Sequence, residues 1–111
     1  KELHENLQVL IRRRDIFVEG LNSIRGWRAG HPQGAFYVWA DIREILGRKW
    51  HDKTLKTSSD VAEALLESQR VAVVPGGERG LEGYLRLSFA IHGKDLLEAV
   101  RRLREFTDSL T

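Results

Sequence analysis

The chain has 111 residues, of which 41% are hydrophobic and 31% are charged, so its composition indicates one globular domain with a single core. Lys and Arg outnumber Asp and Glu by 18 to 16, a surplus too small to indicate nucleic-acid binding. The absence of cysteine excludes disulfides, thiol catalysis and cysteine metal sites. No apolar run reaches the ~18 residues that a membrane span needs. The first residues already follow a helical pattern without a preceding cap, so we expect them to continue a longer protein.

The first third of the chain predicts a long helix and a strand. Apolar residues recur at a helical spacing over residues 3–24, and we expect the helix to end near Asn22. Glycines and a proline then indicate a loop that contains one short strand at residues 27–28. Residues 35–39 are β-branched or aromatic apart from one alanine, which is typical of a strand.

The middle of the chain predicts two helices separated by an irregular segment. Asp41 is placed to cap a short helix over residues 42–46. Residues 48–57 show no hydrophobic period and are expected to form a polar excursion. Thr57 and Asp60 have the spacing of a capping box, in which each side chain hydrogen-bonds the other residue's backbone, so the second helix is predicted to begin there.

The last third predicts two strands and a final helix. Residues 71–74 are fully apolar, and a glycine-rich loop over residues 75–83 separates them from a strand over residues 84–91. The latter strand alternates, so one face is apolar and the other polar. Its apolar face comprises Leu85, Leu87, Phe89 and Ile91. A helix over residues 93–109 completes an α+β fold, a two-layer sandwich with helices packed on one face of a small mixed or antiparallel sheet.

Arg86 lies in the middle of the alternating strand, on its polar face between Tyr84 and Ser88. The alternation by itself favours a solvated arginine on the open side of the sheet. The alternative is an anion site, because a guanidinium presents a planar fork that matches a carboxylate and a strand holds that fork rigidly. Both interpretations place Arg86 on the side of the sheet away from the core.

The other polar residues give weaker indications of chemistry. The four glycines of residues 75–83 could cradle a phosphate, but no P-loop or dinucleotide motif surrounds them, so a flexible connection between strands is favoured. The four histidines are scattered without metal-ligand spacing, and we expect no metal site. No Ser–His–acid set can be assembled, and the five lysines lie in polar surroundings, so we expect no catalytic residue and no cofactor ligand in this chain.

Three segments, taken together, resemble the C-terminal small domain of fold-type I pyridoxal-phosphate aminotransferases, most of all the aspartate-aminotransferase-like class I and II group. They are residues 32–38 (Pro-Gln-Gly-Ala-Phe-Tyr-Val), 71–76 (Val-Ala-Val-Val-Pro-Gly) and 83–90 (Gly-Tyr-Leu-Arg-Leu-Ser-Phe-Ala). Residues 12–22 also look like the helix by which the family's chain enters that domain. The resemblance covers nearly the whole chain in order. It implies a single small domain over residues 1–111, with the large cofactor-binding domain outside it.

The resemblance assigns roles that the residues alone leave open. It implies that Arg86 binds the α-carboxylate of the substrate, and that Gly34, Phe36 and Tyr37 lie near the substrate. It also implies amino-group transfer between an amino acid and a 2-oxo acid, with pyridoxal 5′-phosphate held by the large domain as the electron sink. The implied full-length enzyme is a cytoplasmic homodimer that binds neither nucleic acid nor membrane. The 111 residues alone are expected to be inactive.

One departure from the family's pattern and two alternatives accompany this interpretation. Arg79 stands in the glycine loop where the family usually has an aromatic residue. The small domain of another fold-type I enzyme, of the histidinol-phosphate aminotransferase or lyase type, would share Arg86. A free-standing α+β module that binds nucleic acid on the polar sheet face is the alternative from another class. Steeply salt-dependent binding to single-stranded DNA would distinguish that module from an enzyme domain.

Overall fold

The computed structural model describes residues 2–30, 37–77, 80–88 and 96–111. Within them the helices are α1 (Glu2–Asn22), α2 (Ser58–Gln69) and α3 (Leu96–Asp108). The strands are β1 (Arg28–Ala29), β2 (Tyr37–Asp41), β3 (Lys49–Trp50), β4 (Lys53–Thr54), β5 (Val74–Pro75) and β6 (Tyr84–Ser88). A short 3-10 helix (Arg43–Ile45) follows β2. No helix in this part of the chain is long and apolar enough to cross a membrane.

Strands β2 and β6 form the centre of a four-stranded sheet with the order β1-β2-β6-β5. Each neighbouring pair is antiparallel. In the β2–β6 register Trp39 lies opposite Arg86, and Tyr37 lies opposite Ser88. On the other side of β6, Val74 of β5 lies opposite Arg86. Arg86 therefore sits in the interior of the sheet, with a neighbouring strand on each side.

The two faces of the central strands differ as the alternation predicts. Val38 and Ala40 of β2 and Leu85 and Leu87 of β6 are buried, each with 3% or less of its surface exposed. Helices α1 and α2 contact the sheet, and α3 packs against both of those helices. The predicted α+β two-layer fold is confirmed, with an antiparallel sheet. Large buried side chains from the helices are Phe17, Leu21, Leu65, Leu103 and Phe106.

A buried polar contact joins the start of the sheet to the last helix. The Trp27 Nε1 group donates a hydrogen bond to Thr107 Oγ1 at 2.9 Å, and Thr107 Oγ1 donates in turn to the Leu103 carbonyl at 2.8 Å. Trp27 and Thr107 are both 2% exposed. Because both polar groups are satisfied, the core keeps them at little cost.

Local sequence signals placed the end of α1 and the start of α2 correctly, whereas the predicted Asp41 cap is wrong, because Ile42 precedes the short 3-10 helix without a side-chain cap. Helix α1 ends at Asn22, as predicted, and the Asn22 amide hydrogen-bonds both backbone groups of Ala29, each at 2.8 Å. The predicted capping box begins α2: Thr57 Oγ1 accepts from the Asp60 backbone N–H at 3.2 Å, and Asp60 accepts from the Thr57 backbone N–H at 3.2 Å.

Two predicted segments were wrong. Residues 48–57 are not irregular, because β3 and β4 form a hairpin closed by a 2.8 Å hydrogen bond from Leu55 N–H to the Arg48 carbonyl. Residues 71–73 are not a strand. Arg70 adopts a left-handed backbone with φ of 57°, and Val71 N–H bonds back to the Leu65 carbonyl, so the chain is still closing α2 there.

Several predicted features fall on residues outside the described ones. These are Gly34 and Phe36, the strand residues 35–36 and 89–91, and the start of the last helix at residues 93–95.

Candidate functional site: the open face of the sheet

The side of the sheet away from the core carries the candidate site, and we call it the open face. Alternation places on it three residues of β2 and three of β6. They are Tyr37, Trp39, Asp41, Tyr84, Arg86 and Ser88. Tyr37 is 37% exposed, and the other five are half-buried. This face has three aromatic residues around a central arginine. It therefore differs from an ordinary solvated face, where charged residues of both signs alternate.

The Arg86 guanidinium lies against an aromatic ring. Its central carbon is 4.5 Å from the centroid of the Tyr37 ring, within the range of a cation–π contact. Trp39 and Val74 flank Arg86 on the two neighbouring strands. Among the described residues, no carboxylate lies within ion-pair distance of Arg86. The positive charge is therefore half-buried and held in place, yet it has no anionic partner there.

The Asp41 carboxylate on the same face forms an ion pair with a different arginine, Arg43. Arg43 binds it through Nη2 at 2.8 Å from Oδ2 and Nε at 3.1 Å from Oδ1, and the Arg43 backbone N–H also donates to Oδ1 at 3.0 Å. These hydrogen bonds from Arg43 hold the pKa of the Asp41 carboxyl below its ordinary value of 3.8. The Arg43 guanidinium carbon lies 5.5 Å from the centroid of the Tyr84 ring.

The glycine-rich loop packs against the edge of the open face. Gly76 N–H bonds to the Tyr84 carbonyl at 2.9 Å, and Leu81 N–H bonds to the Gly76 carbonyl at 2.8 Å. A Cβ at Gly76 would lie 2.5 Å from the Leu81 carbonyl oxygen and 3.1 Å from Trp39 Cζ3. Glycine is thus required for close approach. The described part of the loop therefore carries backbone hydrogen bonds on both sides, and the flexible connection expected from the sequence stays a prediction.

A carboxylate from the loop anchors it to α2. Glu82 Oε2 accepts from the Ser58 backbone N–H at 2.5 Å, and Oε1 lies 3.3 Å from Ser58 Oγ. Ser58 is fully buried, so its polar groups depend on this partner. A Cβ at Gly77 would lie 2.7 Å from Glu82 Oε1, so a larger residue there would displace the carboxylate. The negative charge also suits the positive end of the helix dipole.

The structure brings together two of the four residues that the sequence marked as substrate-binding, Arg86 and Tyr37. The other two, Gly34 and Phe36, lie outside the described residues. The sequence analysis did not assign Trp39 to the open face, and it did not identify Glu82 as the residue that anchors the loop. The spacing of Trp39 two residues after Tyr37 was a usable signal for a shared face. No signal in the sequence linked Glu82 to α2.

The described residues do not fit a site for a metal or for a cofactor held through a lysine. They contain no group of three or more His, Asp or Glu residues that could hold a metal ion. The described lysines Lys49, Lys53 and Lys56 are all exposed, and Lys53 lies 3.5 Å from Glu63. An exposed lysine lacks the buried surroundings that favour Schiff-base chemistry. Any such cofactor would need residues other than these.

An arginine held on a central strand, beside an aromatic ring and without an acidic partner among the described residues, has a geometry suited to binding an anion. Comparison with known proteins makes the class specific. The sequence model of the family described as aminotransferase class I and II matches residues 1–103. The chain belongs to that family.

Individual relatives agree with the family assignment. The chain is 40% identical over 94 residues to an aspartate aminotransferase of Streptomyces avermitilis, covering 85% of this chain and 23% of the relative. The crystal structure of the aspartate aminotransferase from Rhizobium meliloti matches with a TM-score of 0.93 and 38% identity, covering 100% of this chain and 28% of that one. An aspartate aminotransferase from Thermus thermophilus, solved with maleate, matches with a TM-score of 0.72 and 36% identity, covering 89% and 23%. The chain thus spans about a quarter of the length of these relatives.

Proposed function

We propose that this chain is the small domain of a pyridoxal-phosphate-dependent aminotransferase, and that Arg86 binds the α-carboxylate of the substrate. The proposal rests on the surroundings of the Arg86 guanidinium. Its guanidinium is half-buried on a central strand and lies over the Tyr37 ring, and no carboxylate among the described residues neutralises it. A half-buried guanidinium without a carboxylate partner among the described residues is suited to bind an anion from outside the domain.

The reaction would transfer an amino group between an amino acid and a 2-oxo acid. The cofactor supplies the electron sink. The contribution of this chain is binding and orientation: two parallel N–H···O bonds from Arg86 fix both oxygens of the carboxylate and thereby the direction of the bond to the α-carbon. A charge-assisted pair of this kind is worth about 1.5–3 kcal/mol.

The remaining parts of the enzyme would lie outside these residues. The exposed positions of Lys49, Lys53 and Lys56 support a cofactor site in another domain of the full-length protein. Relatives named aspartate aminotransferase favour aspartate as the amino donor. The homodimeric state and the cytoplasmic location expected from the resemblance stay predictions.

The test is amino transfer from aspartate to a 2-oxo acid by the full-length protein and by its variants. We expect Arg86→Lys, which keeps the charge but loses the fork, to lower kcat/KM at least ~10-fold. Arg101→Lys is the matched control, because Arg101 lies exposed on α3 and pairs with Glu98, away from the open face. Equal, small effects of both variants would contradict the proposal, as would transaminase activity of the 111-residue chain alone.

A further inference from the structure

Arg86 lies between two competing partners on β2. The register places Tyr37 and Asp41 two residues to either side of Trp39, the residue directly opposite Arg86. Diagonal neighbours of this kind have Cα atoms about 7–8 Å apart, within reach of an arginine side chain. A carboxylate attracts a guanidinium more strongly than an aromatic ring does. The guanidinium nevertheless lies over the Tyr37 ring at 4.5 Å.

The neighbouring ion pair explains this choice. The Asp41 carboxylate already accepts hydrogen bonds from Nε, Nη2 and the backbone N–H of Arg43. Its side chain is only 21% exposed, so little of it remains open to another donor. Arg43 is in turn held over the Tyr84 ring. The Asp41 carboxylate is therefore paired with Arg43, two residues along the chain, and does not pair with Arg86.

We propose that Tyr37 and the Arg43–Asp41 ion pair are positioning groups for Arg86, and that together they keep its guanidinium available for a substrate carboxylate. Tyr37 holds the group by its flat face. Arg43 prevents Asp41 from capturing it. This inference rests on the proposed role of Arg86 and assigns its orientation to specific neighbours.

The geometry of a guanidinium makes a ring a suitable support. All five N–H donors lie in the plane of the group, and the Tyr37 ring offers them no carboxylate oxygen, so the N–H edges stay available for a substrate carboxylate. An acidic support would instead use those edges and cancel the charge. Tyr37 can therefore hold Arg86 during binding, whereas Asp41 would compete with the substrate.

The experiment measures carboxylate discrimination in the full-length enzyme. The readout is the ratio of kcat/KM for aspartate to that for β-alanine, which is aspartate without its α-carboxylate. Tyr37→Phe, which keeps the ring, should leave the ratio within twofold. Tyr37→Leu should lower it about threefold to tenfold, mostly through KM. Arg43→Gln should also lower the ratio, because the freed Asp41 carboxylate would then pair with Arg86. Adding Asp41→Asn should restore the ratio, because the side chain at position 41 is then uncharged.

The arms separate this inference from the proposed function. Loss of discrimination in Arg86→Ala supports the role of Arg86, and an unchanged ratio there would overturn that role. With Arg86→Ala effective, unchanged ratios in Tyr37→Leu and Arg43→Gln would overturn the positioning inference alone. Tyr37→Leu should have no further effect in the Arg86→Ala background, and an undiminished effect would also overturn it. If Tyr37→Leu fails to fold, the rescue of Arg43→Gln by Asp41→Asn decides the matter.

Discussion

Glu82 provides a sharp test of how the loop is fixed beside the open face, through the change Glu82→Ala. The wild-type carboxylate accepts the buried Ser58 N–H at 2.5 Å and lies 3.3 Å from Ser58 Oγ. The charged hydrogen bond contributes about 1.5–3 kcal/mol, and the helix dipole adds about 0.3–1 kcal/mol. Water reaches part of the vacated space, because Glu82 is exposed. We therefore expect a loss of about 2 kcal/mol in the free energy of unfolding.

The assay is chemical and thermal unfolding of the 111-residue chain, with amide exchange as a local probe. A loss of ~2 kcal/mol corresponds to a fall in Tm of roughly 9 °C for a domain of this size. Glu82→Gln keeps an acceptor oxygen and should lose about half as much. Exchange should accelerate at Ser58 N–H and Leu81 N–H. Glu67→Ala, an exposed site on α2, is the control and should change stability by less than ~0.5 kcal/mol. A Glu82→Ala protein as stable as that control would show that Glu82 does not anchor the loop to α2.

Three further predictions concern packing and pH. Thr107→Val leaves the buried indole N–H of Trp27 without its 2.9 Å acceptor and should cost ~2 kcal/mol in denaturant unfolding, whereas Thr107→Ser, which keeps the hydroxyl, should cost less. Gly76→Ala places a Cβ 2.5 Å from the Leu81 carbonyl oxygen and should destabilise the chain by more than ~1 kcal/mol; an unchanged Tm would show that the loop shifts freely. The pKa of Asp60 lies below 3.8 because the Lys56 and Thr57 backbone N–H groups donate to it, so its contribution is complete above pH 3.8 and is lost as the pH falls through the lower folded value. Acid titrations of stability should show that loss in the wild type and not in Asp60→Asn.

Local patterns in the sequence predicted the features that depend on neighbouring residues. The alternation of β6 placed Leu85 and Leu87 in the core and Arg86 on the open face, because side-chain direction in a strand follows the sequence directly. The Thr57 capping box was predicted for the same reason, since its partners are three residues apart. The resemblance of three segments then indicated the family, which the comparisons confirmed.

Features that depend on distant residues could not be predicted. The position of the Arg86 guanidinium over the Tyr37 ring follows from the β2–β6 register, which no local pattern fixes. The contact between Glu82 and Ser58 joins a loop to a helix end 24 positions away. The β3–β4 hairpin has two-residue strands, which are too short to show a period.

The most direct test of the central claim is a structure of the full-length protein with a dicarboxylate bound, and maleate is suitable because a Thermus thermophilus relative was solved with it. One carboxylate of maleate is expected in the plane of the Arg86 guanidinium, with two N···O distances of about 2.7–2.9 Å, while the guanidinium stays over the Tyr37 ring. Maleate bound at another group, with Arg86 in contact with Tyr37 alone, would contradict that claim.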